Sequence, residues 1–179
     1  CMKTIFLPTI EAMNQEGRPF KGCLYFGLML TPEGPRVVEY NCRFGDPETQ
    51  VVLPLLKTDL LTIMRAVHDE KLSEVTIEWE DKACACVILA SGGYPQKYHK
   101  GYEIDGLDDY GQVEGVTIYH AGTAWKDGKY YTNGGRVLGV SAVGDTLEQA
   151  LQLSYDKIKE IHFTDMHYRT DIGRKVVKQ

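Results

Sequence analysis

Two short apolar runs set what this chain can fold into. The first, Leu24-Tyr25-Phe26-Gly27-Leu28-Met29-Leu30, lies between Lys21-Gly22 and the turn-forming Thr31-Pro32-Glu33-Gly34-Pro35. The second spans Ala83 to Ala90 and is broken by Ser91-Gly92-Gly93-Tyr94-Pro95. Apolar runs of this length between turn signals are buried strands rather than helices. Neither approaches the ~20 residues needed to cross a bilayer, and the N-terminus lacks the basic-then-apolar layout of a signal peptide.

The remaining elements are arranged around these two strands. Thr4 to Glu16 has a helical pattern, with Pro8 tolerated near its first turn and Gly17 as its stop. No strand precedes this helix to pair with, so the sequence is expected to begin inside a domain. Arg36 to Asn41 continues from the Thr31–Pro35 turn as the second arm of a hairpin. Val51 to Leu72 is expected to be helical after a break at Pro54, with Leu60, Met64 and Val67 on one face. Val75, Ile77 and Trp79 then alternate before the Ala83–Ala90 strand. Further strands are expected at Val116–His120 and Gly134–Val143, with a hairpin about Asp127-Gly128 between aromatic flanks. Thr146-Leu147-Glu148-Gln149 has capping-box form and opens a helix to about Ile161, burying Leu147, Ala150, Leu151, Ser154 and Ile158. The class is α+β in two unequal pieces, 1–73 and a strand-rich 74–179.

Composition narrows the function. A net charge of −5 disfavours a nucleic-acid partner, which would want a basic face. The five cysteines lack the pairing of a disulfide framework or zinc site; Cys84 and Cys86, two apart in a strand, point the same way as small core residues. That pattern fits free thiols in a reducing cytosol. The five histidines show no metal spacing.

Chemistry concentrates in Glu39-Tyr40-Asn41-Cys42-Arg43-Phe44-Gly45-Asp46-Pro47-Glu48-Thr49-Gln50. In a strand, Val38 and Tyr40 share one face and Glu39 and Asn41 the other, with Cα atoms two apart separated by roughly 6.5–7 Å. Both side-chain oxygens can then reach one Mg²⁺, which prefers hard oxygen ligands and takes few from protein. The Arg43 fork suits a phosphoryl oxygen, and Asp46 and Glu48 are acceptors for a substrate ammonium. The alternative is an edge strand with solvated polar residues and a charged turn. A second anion-binding candidate is Thr132-Asn133-Gly134-Gly135-Arg136, where Gly135 permits close backbone approach and Arg136 adds charge. Its alternative is a glycine turn entering a core strand.

The run from Glu39 to Gln50 resembles the signature of the phosphoribosylamine–glycine ligases of the ATP-grasp superfamily. Similar segments lie in order around it: Pro8-Thr9-Ile10, Phe20-Lys21-Gly22, Leu53-Pro54-Leu55-Leu56, Ala90 to Pro95, His120 to Thr123, Gly134 to Val140 and Tyr168 to Gly173. The resemblance implies the tail of an ATP-grasp domain followed by the small C-terminal domain of the ligase. It implies a cytoplasmic enzyme of purine synthesis that uses ATP, glycine and 5-phosphoribosylamine as substrates, with Mg²⁺ or Mn²⁺ as the metal. By position, Glu39 and Asn41 would hold the metal, Arg43 would steady the transferred phosphoryl group, and Asp46 would orient glycine. Gly135 and Arg136 would meet the phosphoribosyl substrate. No Gly-rich phosphate loop or adenine-clasping lobe is found in the 179 residues. The expectation is therefore a chain lacking the ligase's N-terminal domains and inactive alone, or else a non-catalytic scaffold derived from such a ligase.

Overall fold

A computed structural model describes residues 1–173; residues 174–179 of the expected second domain lie outside the described residues. Its elements are helices and antiparallel sheets, an α+β chain. They gather into two units, one comprising Cys1–Asp46 and Leu56–Glu78, the other Pro47–Leu55 and Trp79 onward.

In the first unit a π-helical turn over Met2–Phe6 runs into α1, Leu7–Gln15, with Pro8 in its first turn. β1, Tyr25–Thr31, and β2, Gly34–Asn41, form the expected antiparallel hairpin. Phe26 packs against Phe6 and Tyr40, with ring centroids 4.5 and 5.3 Å apart. β1 is less buried than its apolar sequence leads one to expect: Leu30 is 82% and Met29 58% exposed. A two-stranded ribbon has little with which to cover its faces.

The break expected at Pro54 is present, but the helical stretch of 51–72 does not form one helix after it. α2, Thr49–Val52, tightens into a 3₁₀ turn at Leu53–Leu55, and α3, Leu60–His68, begins afresh. Asp59 takes an extended conformation, and its carboxylate accepts from the Thr62 amide at 2.8 Å, so it caps a new helix after Pro54 has ended the old one. Leu60, Ile63 and Val67 are half-buried and Ala66 buried, but Met64 is exposed. The alternating Val75–Trp79 segment builds no ladder. Glu78 instead bonds Thr58, its amide donating to Thr58 Oγ1 at 2.7 Å and its carbonyl accepting from Lys57 at 3.0 Å.

The second unit carries the closed core. β3, Ala83–Ser91, and the later β8, Arg136–Gly144, pair centrally in a four-stranded sheet. β5, Thr117–His120, flanks β8, and β9, Met166–His167, flanks β3. A second sheet joins β4, Glu103–Ile104, β7, Lys129–Thr132, and β6, Thr123–Lys126. The β6–β7 turn is the expected Asp127-Gly128, both residues at positive φ, as a two-residue hairpin of this hand requires. α4, Leu147–Ile158, lies on β3 and β8. Val87, Leu89, Val137, Leu138, Val140, Ile158, Ile161 and Phe163 are almost wholly withdrawn from water. No helix among the described residues is long and apolar enough to cross a membrane.

Candidate functional site

The polar end of β2 is shaped by an irregularity in the hairpin. Pairing runs Leu28 to Val37 and then Gly27 to Glu39, leaving Val38 without a partner across the ladder. Such a bulge re-aims the side chains that follow it. Beyond it, Glu39 stands across from Gly27 and Asn41 across from Tyr25, while Tyr40 faces the other way across from Phe26. Asn41 Nδ2 donates to Glu39 Oε1 at 3.3 Å, so the two side chains meet on one face. Glu39 is exposed and Asn41 half-buried, leaving the pair open to a ligand.

Gly27 provides the space for this arrangement. A Cβ placed there would lie 2.7 Å from Glu39 Cγ, closer than carbon atoms pack. Glycine in a strand interior often marks a bulge or a close approach. A glycine inside an otherwise apolar run is the sequence signal for such a position.

The pair suits a hard cation in donor type, a carboxylate and a carboxamide, which is what magnesium takes from protein when phosphates and water complete its shell. No cluster of three or more His, Cys, Asp or Glu among the described residues could hold an ion by itself. The donor set therefore fits a metal shared with a bound phosphate, not an all-protein cage.

Arg43 follows on an exposed turn, where its Nη1 donates to the Phe44 carbonyl at 2.8 Å. With Lys21, Cys23, Ile63 and Val67 it lines a groove of about 530 Å³, in which burial pushes the Cys23 thiol up. Gly45 is buried and Asp46 exposed at the end of the first of the two segments that make up this unit.

The other sequence-derived residues belong to the second unit. Glu48 is half-buried at the start of α2, and its carbonyl accepts from the Val51 and Val52 amides at 3.1 and 3.0 Å. Gly135 sits under the Tyr94 ring, where a Cβ would fall 2.1 Å from Tyr94 Cδ2. The Gly135 carbonyl accepts from the Ser91 amide, and the Gly134 carbonyl from Ser91 Oγ, both at 2.8 Å. Gly122 closes on Gly134 just as tightly. These glycines are thus closely packed, and Arg136 is half-buried at the start of β8. His120 is held inside its own unit, its ring nitrogens each 2.9 Å from Thr123 Oγ1 and the Gly111 carbonyl.

Residues 84–175 match the family described as phosphoribosylglycinamide synthetase, C domain, and residues 1–49 match the ATP-grasp (A) domain of the same synthetase. The chain belongs to the phosphoribosylglycinamide synthetase family. It is 52% identical over 169 residues to a phosphoribosylamine–glycine ligase of Caldanaerobacter subterraneus subsp. tengcongensis, covering 94% of this chain and 40% of that protein. The trifunctional purine biosynthetic protein adenosine-3 of Gallus gallus is 50% identical over 98% of this chain, which spans 17% of its length. The crystal structure of the Thermotoga maritima phosphoribosylamine–glycine ligase superposes with a TM-score of 0.72 at 38% identity, over 90% of this chain and 39% of that one. The chain thus spans about two-fifths of the single-function family members it matches.

Proposed function

We propose that the protein carrying this chain joins glycine to 5-phosphoribosylamine with ATP, giving glycinamide ribonucleotide, ADP and phosphate, in the cytoplasmic synthesis of purines. The observation that carries the reading is the meeting of Glu39 and Asn41 on one face of β2, within a chain half-identical to a ligase of that name. In this reading the two residues hold Mg²⁺ or Mn²⁺ against the nucleotide phosphates. Bound there, the metal supplies charge neutralisation for the phosphoryl oxygens.

The chain's own residues position and neutralise; none is needed as a nucleophile. Arg43 gives its guanidinium to the phosphoryl group as it passes to the glycine carboxylate. Asp46 orients glycine through its ammonium group, and Glu48 is a further acceptor for such a cation. Gly135 and Arg136 are assigned to the phosphoribosyl substrate, a role that the packing of Gly135 beneath Tyr94 leaves to backbone and guanidinium. The amine of phosphoribosylamine then displaces phosphate from the glycyl phosphate to form the amide. The domains of about 1–73 and 74–179 correspond in this reading to the end of the ATP-grasp domain and the ligase's C-terminal domain. The N-terminal domains of the longer ligase complete the nucleotide site.

The test is glycine- and phosphoribosylamine-dependent ADP release by the full-length protein, beside Glu39→Ala and Asn41→Ala. At limiting magnesium each variant should lose about a hundredfold, since even residues that only support a ligand are worth about 10–100-fold. Full activity in both would remove the metal assignment. The 179-residue chain alone should release no ADP; glycine-dependent turnover by it would refute the need for further domains.

A further inference from the structure

We propose that Gly27 is a positioning residue for the Glu39 carboxylate, made effective by the bulge at Val38. The proposal rests on the reading of Glu39 and Asn41 as magnesium ligands and adds to it a residue that touches neither metal nor substrate. Had the ladder continued without interruption from Leu28 and Val37, Glu39 would stand across from Phe26, among the aromatic rings. The shift between Gly27 and Leu28 instead sets Glu39 opposite the one β1 residue that has no side chain.

The space that results is specific. Glu39 Cγ occupies the place where a Cβ on residue 27 would project, at 2.7 Å. Glycine weakens a strand interior, so its presence here calls for a local reason, and the side chain lying across it is one. φ at Gly27 is not in the left-handed region, so the requirement is for room rather than for an unusual backbone. Any larger residue must swing the Glu39 stem outward and part Glu39 Oε1 from Asn41 Nδ2, now 3.3 Å apart. The two side chains then no longer meet on the face where they would hold one cation.

The experiment measures Mn²⁺ binding by electron paramagnetic resonance in the full-length protein with a non-hydrolysable ATP analogue, so that no turnover is required. Four forms are compared: the parent protein, Gly27→Ala, Glu39→Ala, and the two combined. Gly27→Ala should raise the Mn²⁺ Kd about tenfold or more, the scale on which supports of metal ligands act. In the Glu39→Ala background, where no Cγ remains to collide, the same change should move Kd less than about twofold, because two residues acting through one contact are not additive. An unchanged Kd in Gly27→Ala, or an equal loss in both backgrounds, overturns the proposal. If Gly27→Ala does not fold, recovery of folding by added Glu39→Ala supports the collision, and failure to recover overturns it. Should Glu39→Ala itself bind Mn²⁺ normally, the magnesium reading fails first; if it binds poorly while Gly27→Ala binds well, only the positioning role fails.

Discussion

β2 and β8 are strands of similar length with opposite environments. β8 has a strand on each side and α4 across it, and Val137, Leu138 and Val140 are sealed from water. Among the described residues β2 pairs only with β1, and Val38 and Tyr40 remain 65% and 51% exposed. The second unit puts its apolar residues into a core; the first spends an irregular ladder on bringing two polar side chains together. Apolar sequence marks a strand in both, while neighbours on either side decide whether that strand stabilises the fold.

This contrast has a direct mutational consequence. Leu138→Ala removes a fully buried side chain and should cost about 2–5 kcal/mol by lost burial and residual cavity. Leu30→Ala, at a side chain 82% exposed in the other unit, should stay within about 0.5 kcal/mol. Urea unfolding of the 179-residue chain, followed in both variants, compares the two. Equal losses would break the distinction. A smaller effect sharpens it inside the second unit. Gly135→Ala drives a methyl into the Tyr94 ring and should cost about 1–3 kcal/mol by overpacking. Tyr94 is 40% exposed and can be removed cheaply, so Gly135→Ala combined with Tyr94→Ala should recover part of that loss. A double variant no more stable than Gly135→Ala would show that the ring is not what the glycine accommodates.

The same contrast explains what could be read from the residues. Alternation along β2 put Glu39 and Asn41 on one face, and the hairpins around Pro32–Gly34 and Asp127-Gly128 were legible because turn chemistry is local. The cap of α4 was legible for the same reason: Thr146 Oγ1 accepts from the Gln149 amide at 3.3 Å, while the Gln149 side chain accepts from the Asp145 amide, one residue ahead of the cap, at 3.0 Å. The degree of exposure at Leu30 depends on which elements cover the strand, and a two-stranded ribbon leaves it open. The break at Pro54 was legible, but the start of α3 at Asp59 was not, because a carboxylate caps a helix only where the chain ahead of it turns extended. The two-residue strands β4 and β9 had no periodic signal to find. Gly27 alone does not say what it accommodates, because the bulge at Val38 is a property of two strands in register that one strand's sequence does not display.

The helix caps give the finest comparison between the units. Thr146 accepts from the Gln149 amide at 3.3 Å at the start of α4, and Thr146→Ala should cost about 1 kcal/mol at any pH, since a hydroxyl does not titrate in the range where proteins fold. Asp59 caps α3 with a charge. The Thr62 amide and hydroxyl, at 2.8 and 3.0 Å, hold its carboxyl below the usual carboxylate range, with smaller help from Leu61 and Arg65. A folded pKa lower than the unfolded value of about 3.9 means that the unfolded chain binds more protons between the two. The stabilisation is therefore fully present above the unfolded pKa and is lost as pH falls through the folded one. Asn caps a helix about as well but does not titrate, so the Tm difference between the parent chain and Asp59→Asn should change in one direction only. Relative to Asp59→Asn, the parent should lose Tm between pH 6 and pH 3, whereas Thr146→Ala should keep a constant offset. If the Asp59→Asn offset also stays constant, the carboxylate contributes through its shape alone, and the caps of the two units work alike.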